Sequence, residues 1–504
     1  MLLLLLSSQT GCDSTPTPVS LLPAPGREAR PARPLSALRA NPRYFGADGR
    51  AVFLTGSHTW NNFQDWDGTV PPRKFDYDRY LDFLEQRGHN FIRLYVWEQA
   101  AWFPASDVQV TVDPLPYLRT GPGNALDGRP RFDLERFNPE YFQRLHDRVE
   151  RAGARGIYVS VMLFNGWSVA LKGHKTGNPW RGHPFNGANN VNGIDGDLDH
   201  DGQGNEVQTL ANPAVTALQK RYVRKVVETL SDLDNVLWEI SNESDPGSIE
   251  WQYEMILTVR KSEAQLGRSH PVGISAVFPP TSDNAPLFES SADWVSPHSS
   301  LAEPYDSDPP AASGKKVVVV DTDHIWGIGG SSRWVFESLL RGLNPIFMDP
   351  CVTALHGLLP EWPPEHAREQ LPSPCPSSEW DSVRQSLGVA RALAERVDLA
   401  TLEPSSELAS SRFCLAQSGK EYLVLVPWDG GPKRRWLAEL FPRWLASRVD
   451  VDLSGTAAAL DVEWIDLQRG LLFPGGSVRG GGHVELREPF VGDAMLHLVA
   501  QAPH

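Results

Sequence analysis

NVLWEISNES, residues 235–244, decides how the rest of this 504-residue chain is read. Its first six residues form a short apolar run that suits a strand buried on both faces. Residues 212–230, just before it, have the pattern of a long amphipathic helix. A helix feeding a buried strand is half of a β/α repeat, and the same alternation runs in both directions from here. Upstream, strands are expected at 51–56, 90–96 and 156–163, with helices at 75–87 and 139–154. Downstream, strands are expected at 272–276, 294–297, 315–320 and 344–348, with a closing helix at 382–397. Eight such strands predict an α/β chain with a (β/α)8 barrel.

Beyond residue 403 the pattern becomes short apolar runs at 413–416, 422–427, 449–453, 462–466 and 494–499, separated by Gly, Pro, Asp and Ser. That predicts a small all-β sandwich after the barrel. The expected domains are therefore a leader and linker over 1–40, the barrel over 41–402 and the sandwich over 403–504.

Hydrophobic residues make up 41% of the chain, enough for a large core, and the net charge is −15. An acidic chain is a poor match for nucleic acid, whose phosphates need clustered Lys and Arg. Seventeen tryptophans either fill the core or offer flat faces on which sugar rings stack. The four cysteines, Cys12, Cys351, Cys375 and Cys414, show no zinc spacing. Cys351 and Cys375 suit either a bridge across a Pro-rich loop or two free thiols. The N-terminal MLLLLLSSQTGCDS has a short apolar run followed by small residues, as an export signal does. Gly11-Cys12 resembles the end of a bacterial lipoprotein signal, with Cys12 the lipid acceptor and attachment point to a membrane. The expected location is extracellular, periplasmic or on the outer membrane. Residues 13–40, rich in Pro, Ser and Ala, read as a tether without fixed structure.

In a (β/α)8 barrel the working residues stand where strands end. Those positions hold His58 and Trp60 after strand 1, and Arg93 and Trp97 on and after strand 2. Asn165 and Trp167 follow strand 3, and Asn242-Glu243 follow strand 4. His298 follows strand 6; Asp321, Asp323, His324 and Trp326 follow strand 7. Polar and aromatic types gather at this one edge.

The Asn-Glu closing strand 4, with a carboxylate closing strand 7, is similar to the clan A glycoside hydrolases, the superfamily that contains the family 5 cellulases. NPRYFGADGRAVFLTGSHTW at 41–60 and VEWIDLQRG at 462–470 resemble a bacterial subgroup pairing such a barrel with a β-domain of collagen-binding type. The resemblance implies a glycosidase that acts on a poly- or oligosaccharide and needs no cofactor. It makes Glu243 the acid/base and a strand 7 acid its partner, with the polar and aromatic strand-end residues above binding the sugar.

Glycosidic cleavage needs one carboxylic acid to protonate the leaving oxygen and a second carboxylate to attack or to activate water. The family's usual partner is Glu, whereas this chain offers Asp321 and Asp323. We take Asp321, which directly follows the apolar run, as the expected nucleophile, with Asp323-His324 the alternative. An Asp is one methylene shorter, which pulls the expected retaining outcome towards the ~6.5–9.5 Å gap of inverting enzymes. A barrel lacking a working strand 7 acid would instead be a non-catalytic carbohydrate- or matrix-binding protein. Asp197, Asp199 and Asp201, at alternate positions before Gly202, read as a structural Ca2+ loop or as a solvated polar turn, and the twelfth position is Gln208.

Overall fold

Eight parallel strands order this chain, each run buried because helices cover it outside and side chains fill it inside. In the computed structural model, residues 18–21, 31–102, 109–172, 177–280, 283–327, 329–349, 378–430 and 446–501 are described. The barrel strands are β1 (Gly56–His58), β2 (Phe91–Leu94), β3 (Tyr158–Asn165), β4 (Val236–Asn242), β5 (Val272–Ser275), β6 (Trp294–Ser296), β7 (Val317–Asp321) and β8 (Asn344–Met348). Their order is β1-β8-β7-β6-β5-β4-β3-β2, all parallel. The seam between β1 and β2 is stitched by Asn90 and Phe91, whose N–H groups donate to Thr55 O at 3.0 and 3.2 Å. Asn90 Oδ1 in turn accepts from Thr55 N at 3.0 Å. Gly56 is needed there, since a Cβ would lie 2.2 Å from Phe91 O.

The helices are α1 (Tyr77–Gln86), α2 (Pro139–Ala154), α3 (Pro213–Thr229), α4 (Ile249–Gln265), α5 (Ala285–Glu289), α6 (Thr322–Trp326), α7 (Ser332–Leu340) and α8 (Ser378–Arg396). Asn138-Pro139 and Asn212-Pro213 start α2 and α3, with Asn side chains accepting from first-turn N–H groups and Pro in the first turn. The expected strands and helices lie close to the observed ones, apart from strand 1. The run at 51–56 is divided: Arg50–Val52 pairs back on Phe45–Ala47, and the barrel strand begins at Gly56.

The tether reading of 13–40 also needs correction. Val19–Ser20 pairs with the C-terminal sheet and Ser36–Ala37 pairs with Phe45–Gly46, while Leu35 is buried beneath the barrel. Pro-rich composition did not prevent pairing at edges, where a missing N–H costs nothing. Cys12, Cys351 and Cys375 lie outside the described residues; Cys414 is a free, buried thiol. No described helix is long and apolar enough to cross a membrane.

After α8 come β9 (Glu403–Pro404), β10 (Cys414–Gln417), β11 (Glu421–Val426), β12 (Arg448–Asp452), β13 (Ala459–Asp466), β14 (Leu471–Arg479), β15 (His483–Arg487) and β16 (Ala494–Ala500). β14-β13-β16-β11-β10-β9 form one antiparallel sheet, extended at β14 by Val19–Ser20, and β12 pairs with β15. Alternation divides β11 between two cores. Tyr422, Val424 and Val426 pack with Val449 and Val451, while Leu423 and Leu425 join the barrel's core. β14 and β15 were not expected, because Pro474 and five glycines at 475–482 interrupt their pattern.

Candidate active site

The barrel interior is stacked in layers. The lowest is apolar: Leu54, Phe91, Tyr158, Leu237, Trp294, Val319 and Ile346. Trp294 fits because Gly273 beside it has no side chain; a Cβ there would fall 1.9 Å from the indole. Two residues further along the strands the same inward phase brings Arg93, Ser160, Glu239, Ser275 and Asp321, all fully buried. Arg93 organises this layer. Its Nε and Nη2 donate to the two oxygens of Glu239 at 2.9 and 2.5 Å. Its Nη1 donates to Asp321 Oδ2 at 2.6 Å, and Nη2 also reaches Asn242 Oδ1 at 2.6 Å. Burial alone would raise the Glu239 carboxyl, but the Arg93 charge and its hydrogen bonds outweigh that and lower it. A buried cation with two fully bonded carboxylates is a satisfied network, costly to break by removing any one member.

Asp321 belongs to that network. Its Oδ2 is held by Arg93, and its Oδ1 meets His58 Nε2 at 3.0 Å and accepts from Asp323 N at 2.9 Å. Burial opposes ionisation, yet His58 and Arg93 hold this carboxyl well below the usual carboxylate range. His324 is the neutral counterpart: burial and the Arg93 charge push it down to about 3. Its Nδ1 pairs with Ser296 Oγ at 2.8 Å, and its Nε2 pairs with Asn242 Oδ1 at 2.9 Å. Because Asn242 Oδ1 is an acceptor, the neutral ring carries its proton on Nε2.

Glu243 stands one residue past β4 with φ of 47°, in the left-handed region that a non-glycine residue enters only under constraint. Gly166 allows it, since a Cβ at 166 would lie 2.2 Å from Glu243 O. Trp167 Nε1 donates to Glu243 Oε2 at 2.6 Å, and Asn242 Nδ2 approaches the same oxygen at 3.4 Å. Burial raises the Glu243 carboxyl, only partly opposed by Trp167 and by the nearby Lys172 and Arg93 charges.

Asp323 lies in the first turn of α6, which Asp321 caps. Trp60 Nε1 donates to its Oδ1 at 3.4 Å and Tyr95 OH to its Oδ2 at 3.1 Å, with Arg93 Nη1 at 3.6 Å. Burial and the charges of Glu243 and Asp321 push the Asp323 carboxyl well up. Tyr95 OH also accepts from Asn242 Nδ2 at 2.5 Å, so one chain of contacts links Glu243 to Asp323.

His58, Trp60, Arg93, Trp167, Asn242, Glu243, Asp321, Asp323 and His324 thus come together. The other residues expected at the sugar have the following surroundings. Trp97 is 3% exposed, its ring against Trp66 and its Nε1 on Trp60 O at 2.6 Å, so it braces Trp60 from behind. Asn165 is fully buried, with Nδ2 on Val96 O at 2.9 Å and Oδ1 accepting from Trp167 N at 3.0 Å; it aims the Trp167 loop. Trp326 is 38% exposed and meets Trp334 edge to face. His298 follows β6, its backbone clasped by Asn284 at 3.1 and 3.2 Å.

Three participants were not anticipated: Glu239, Tyr95 and Lys172. Glu239 carried a signal, a lone acid inside an apolar strand, and Tyr95 shares the phase of Arg93. Lys172 carried none. Its fully buried Nζ lies 3.1 Å from Asp245 and 3.2 Å from Phe278 O. Asp321, Asp323 and His324 also offer ligand atoms within 4.8 Å of one another. The Arg93 guanidinium beside both acids, and the use of both His324 nitrogens, leave no place there for a cation.

The profile of a family described as a domain of unknown function, DUF6298, matches residues 85–278, a stretch holding Arg93, Trp167, Glu239 and Glu243. No curated protein matches the chain. Among solved structures, one titled "Glycoside hydrolase" is 13% identical with a TM-score of 0.54, covering 94% of this chain and 98% of its own. A glycoside hydrolase family 5 protein from Bacteroides vulgatus ATCC 8482 is 12% identical with a TM-score of 0.54, at 94% and 95% coverage. Likeness at such identity speaks for a shared fold.

Proposed function

We propose that this chain hydrolyses O-glycosidic bonds of a poly- or oligosaccharide, with Glu243 as acid/base and Asp323, rather than Asp321, as nucleophile. The observation that carries this reading is the unequal surroundings of the two strand 7 acids. Asp321 is fully buried and has both oxygens engaged by Arg93, His58 and a backbone N–H, three of a carboxylate's roughly four acceptor sites, whereas Asp323 keeps 7% of its surface exposed. Asp323 lies beyond it, within the electrostatic reach of Glu243. The barrel shared with structures titled as glycoside hydrolases agrees with this.

Glu243 and Asp323 are both pushed up by burial, and Asp323 also by the Glu243 charge, which favours a state in which one of the pair keeps its proton. The proposed step requires that proton on Glu243, with Asp323 charged beside the Arg93 guanidinium at 3.6 Å and its donors Trp60 and Tyr95. Glu243 then gives its proton to the leaving oxygen as Asp323 attacks the anomeric carbon and the C–O bond breaks. In the second half, Glu243 takes a proton from water, whose oxygen displaces Asp323 and restores both groups. Net retention is the expected outcome. Trp60 and Trp167 flank the acids and offer apolar faces to the ring.

The test is a screen of aryl glycosides with NMR detection of the first-formed anomer, on the wild type and Glu243→Gln. Retention, with activity lost and ligand affinity kept in Glu243→Gln, supports the proposal. First release of the inverted anomer would overturn the nucleophile role. Binding without cleavage of any substrate would leave a non-catalytic carbohydrate-binding protein.

A further inference from the structure

Lys172 is a buried cation that the proposed reaction leaves without a task. Its side chain is shut off from water; its Nζ lies 3.1 Å from Asp245 Oδ2 and donates to Phe278 O at 3.2 Å. Burying an ammonium is costly unless it is paired. Among the described residues, Asp245 is the one carboxylate within ion-pair distance, and its side chain keeps 30% of its surface in water. A partly solvated partner is screened, so it compensates the buried charge incompletely.

Both partners of Lys172 belong to the surroundings of Glu243. Asp245 stands two residues beyond it on the loop after β4. Phe278 follows β5; its N–H donates to Ser244 O at 2.9 Å, and its ring lies 5.1 Å from that of Trp167. Trp167 Nε1 in turn donates to Glu243 Oε2 at 2.6 Å. Lys172 thus closes a ring of contacts among the loops after β3, β4 and β5. Glu243 and Lys172 both have φ of 47°, a backbone that a non-glycine residue keeps only where its surroundings hold it.

Lys172, Arg93, Asp323 and Tyr95 face Glu243. The two cations favour its ionised form, and its charge opposes ionisation of the two acids. Arg93 is already committed to Glu239 and Asp321. An acid that must next act as a base needs both of its forms within reach, whereas burial alone favours the protonated one. We infer that Lys172 is a positioning residue for Glu243: its ammonium ties Asp245 to Phe278, which keeps the Trp167 indole on the Glu243 carboxyl, and its charge supports the ionised Glu243 that takes a proton from water in the second half of the reaction. That role rests on the glycosidase reading.

The experiment reads Glu243 in the full chain labelled with [15N]tryptophan. The Trp167 indole signal is identified by its loss in Trp167→Phe, and it moves as Glu243 titrates; Glu243→Gln abolishes that movement. Lys172→Met keeps the length of the stem and removes the charge. The midpoint then rises by about one pH unit, the effect of a charge ~10 Å away at an effective dielectric of ~20. Asp245→Asn leaves the ammonium uncompensated, and the midpoint falls. Loosened loops alone would not move the two variants in opposite directions. With an aryl glycoside, the limb of kcat/KM that reports the acid follows the midpoint in each variant. An unmoved midpoint in Lys172→Met, or a shift of both variants in one direction, would overturn the inference while leaving the glycosidase reading in place. If Lys172→Met does not fold, a midpoint that rises or stays in Asp245→Asn overturns it equally. Opposed shifts in a chain that cleaves no glycoside would instead overturn the glycosidase reading, and with it the role in catalysis.

Discussion

Replacing Asp321 and Asp323 in turn tests the proposal that Asp323 is the nucleophile and Asp321 a positioning residue. In Asp321→Asn the amide has one acceptor for a position that needs two. If its oxygen faces Arg93 Nη1, its NH2 faces the N–H of Asp323; if it flips, its NH2 faces the guanidinium. Either way two donors meet in a buried place, and Arg93 loses one of the carboxylates that compensate its charge. Breaking a buried ion pair from one side costs about 3–5 kcal/mol. With an unfolding entropy of ~2.1 cal/mol/K per residue over about 400 residues, that lowers the melting temperature by roughly 4–6 °C. Asp323→Asn acts in the opposite direction on stability. Its carboxyl is raised by burial and by Glu243, so its ionisation destabilises the fold at neutral pH, and a neutral isostere leaves the melting temperature equal or higher. Activity reverses the order. Loss of the nucleophile lowers kcat/KM by about 10⁴-fold or more, about 5.4 kcal/mol at 1.36 per decade. Asp321→Asn acts only through positioning and loses roughly 10–100-fold. The assay is hydrolysis of an activated aryl glycoside below both melting temperatures, with and without azide. Azide rescues Asp323→Ala by occupying the nucleophile's place and yields a glycosyl azide. Rescue of Asp321→Ala instead, or Asp323→Asn keeping more than a tenth of wild-type activity, would refute the reasoning.

Trp167→Phe removes the N–H that donates to Glu243 Oε2 and favours its charged form, so the Glu243 carboxyl rises further. The limb of the kcat/KM profile that reports the acid moves to higher pH, with roughly tenfold lower activity at the optimum; an unmoved profile counts against Glu243 as the acid. Gly273→Ala drives a Cβ against the Trp294 indole and costs about 1–3 kcal/mol, read as a lower denaturation midpoint at unchanged m. His497, between Glu421 Oε1 at 2.8 Å and Glu463 Oε2 at 3.0 Å, is raised above 6.5 because the two carboxylates outweigh its burial. Its stabilisation is therefore complete below about 6.5 and is lost as pH rises through the folded value. Glu463 is lowered from 4.5, chiefly by its hydrogen bond to His497, so its own share fades as pH falls below that value. The melting-temperature gap between wild type and His497→Gln should be widest between about 4.5 and 6.5 and narrow above; a pH-independent gap contradicts the pairing.

The sequence by itself determined the barrel, because parallel strands buried on both faces must be continuous apolar runs, and the run at 235–240 is one. It also determined where to look: a polar edge at the strand ends, with Asn242-Glu243 as its centre. Composition could place Asp321 and Asp323 at the end of strand 7 but could not rank them by their surroundings; proximity to the apolar run pointed to Asp321, and the proposal made from the folded site is Asp323. Their difference comes from partners far away in the chain. His58 and Arg93 lie 263 and 228 residues from Asp321, and they engage its two oxygens only once the barrel closes. The same closure turned Trp97 and Asn165 from expected sugar contacts into supports for Trp60 and Trp167, and drew Lys172 in beside Glu243. Strand periodicity is a local property of burial and can be read one residue at a time. Which carboxylate remains available for chemistry is a property of hydrogen bonds between segments, and those form only in the folded chain.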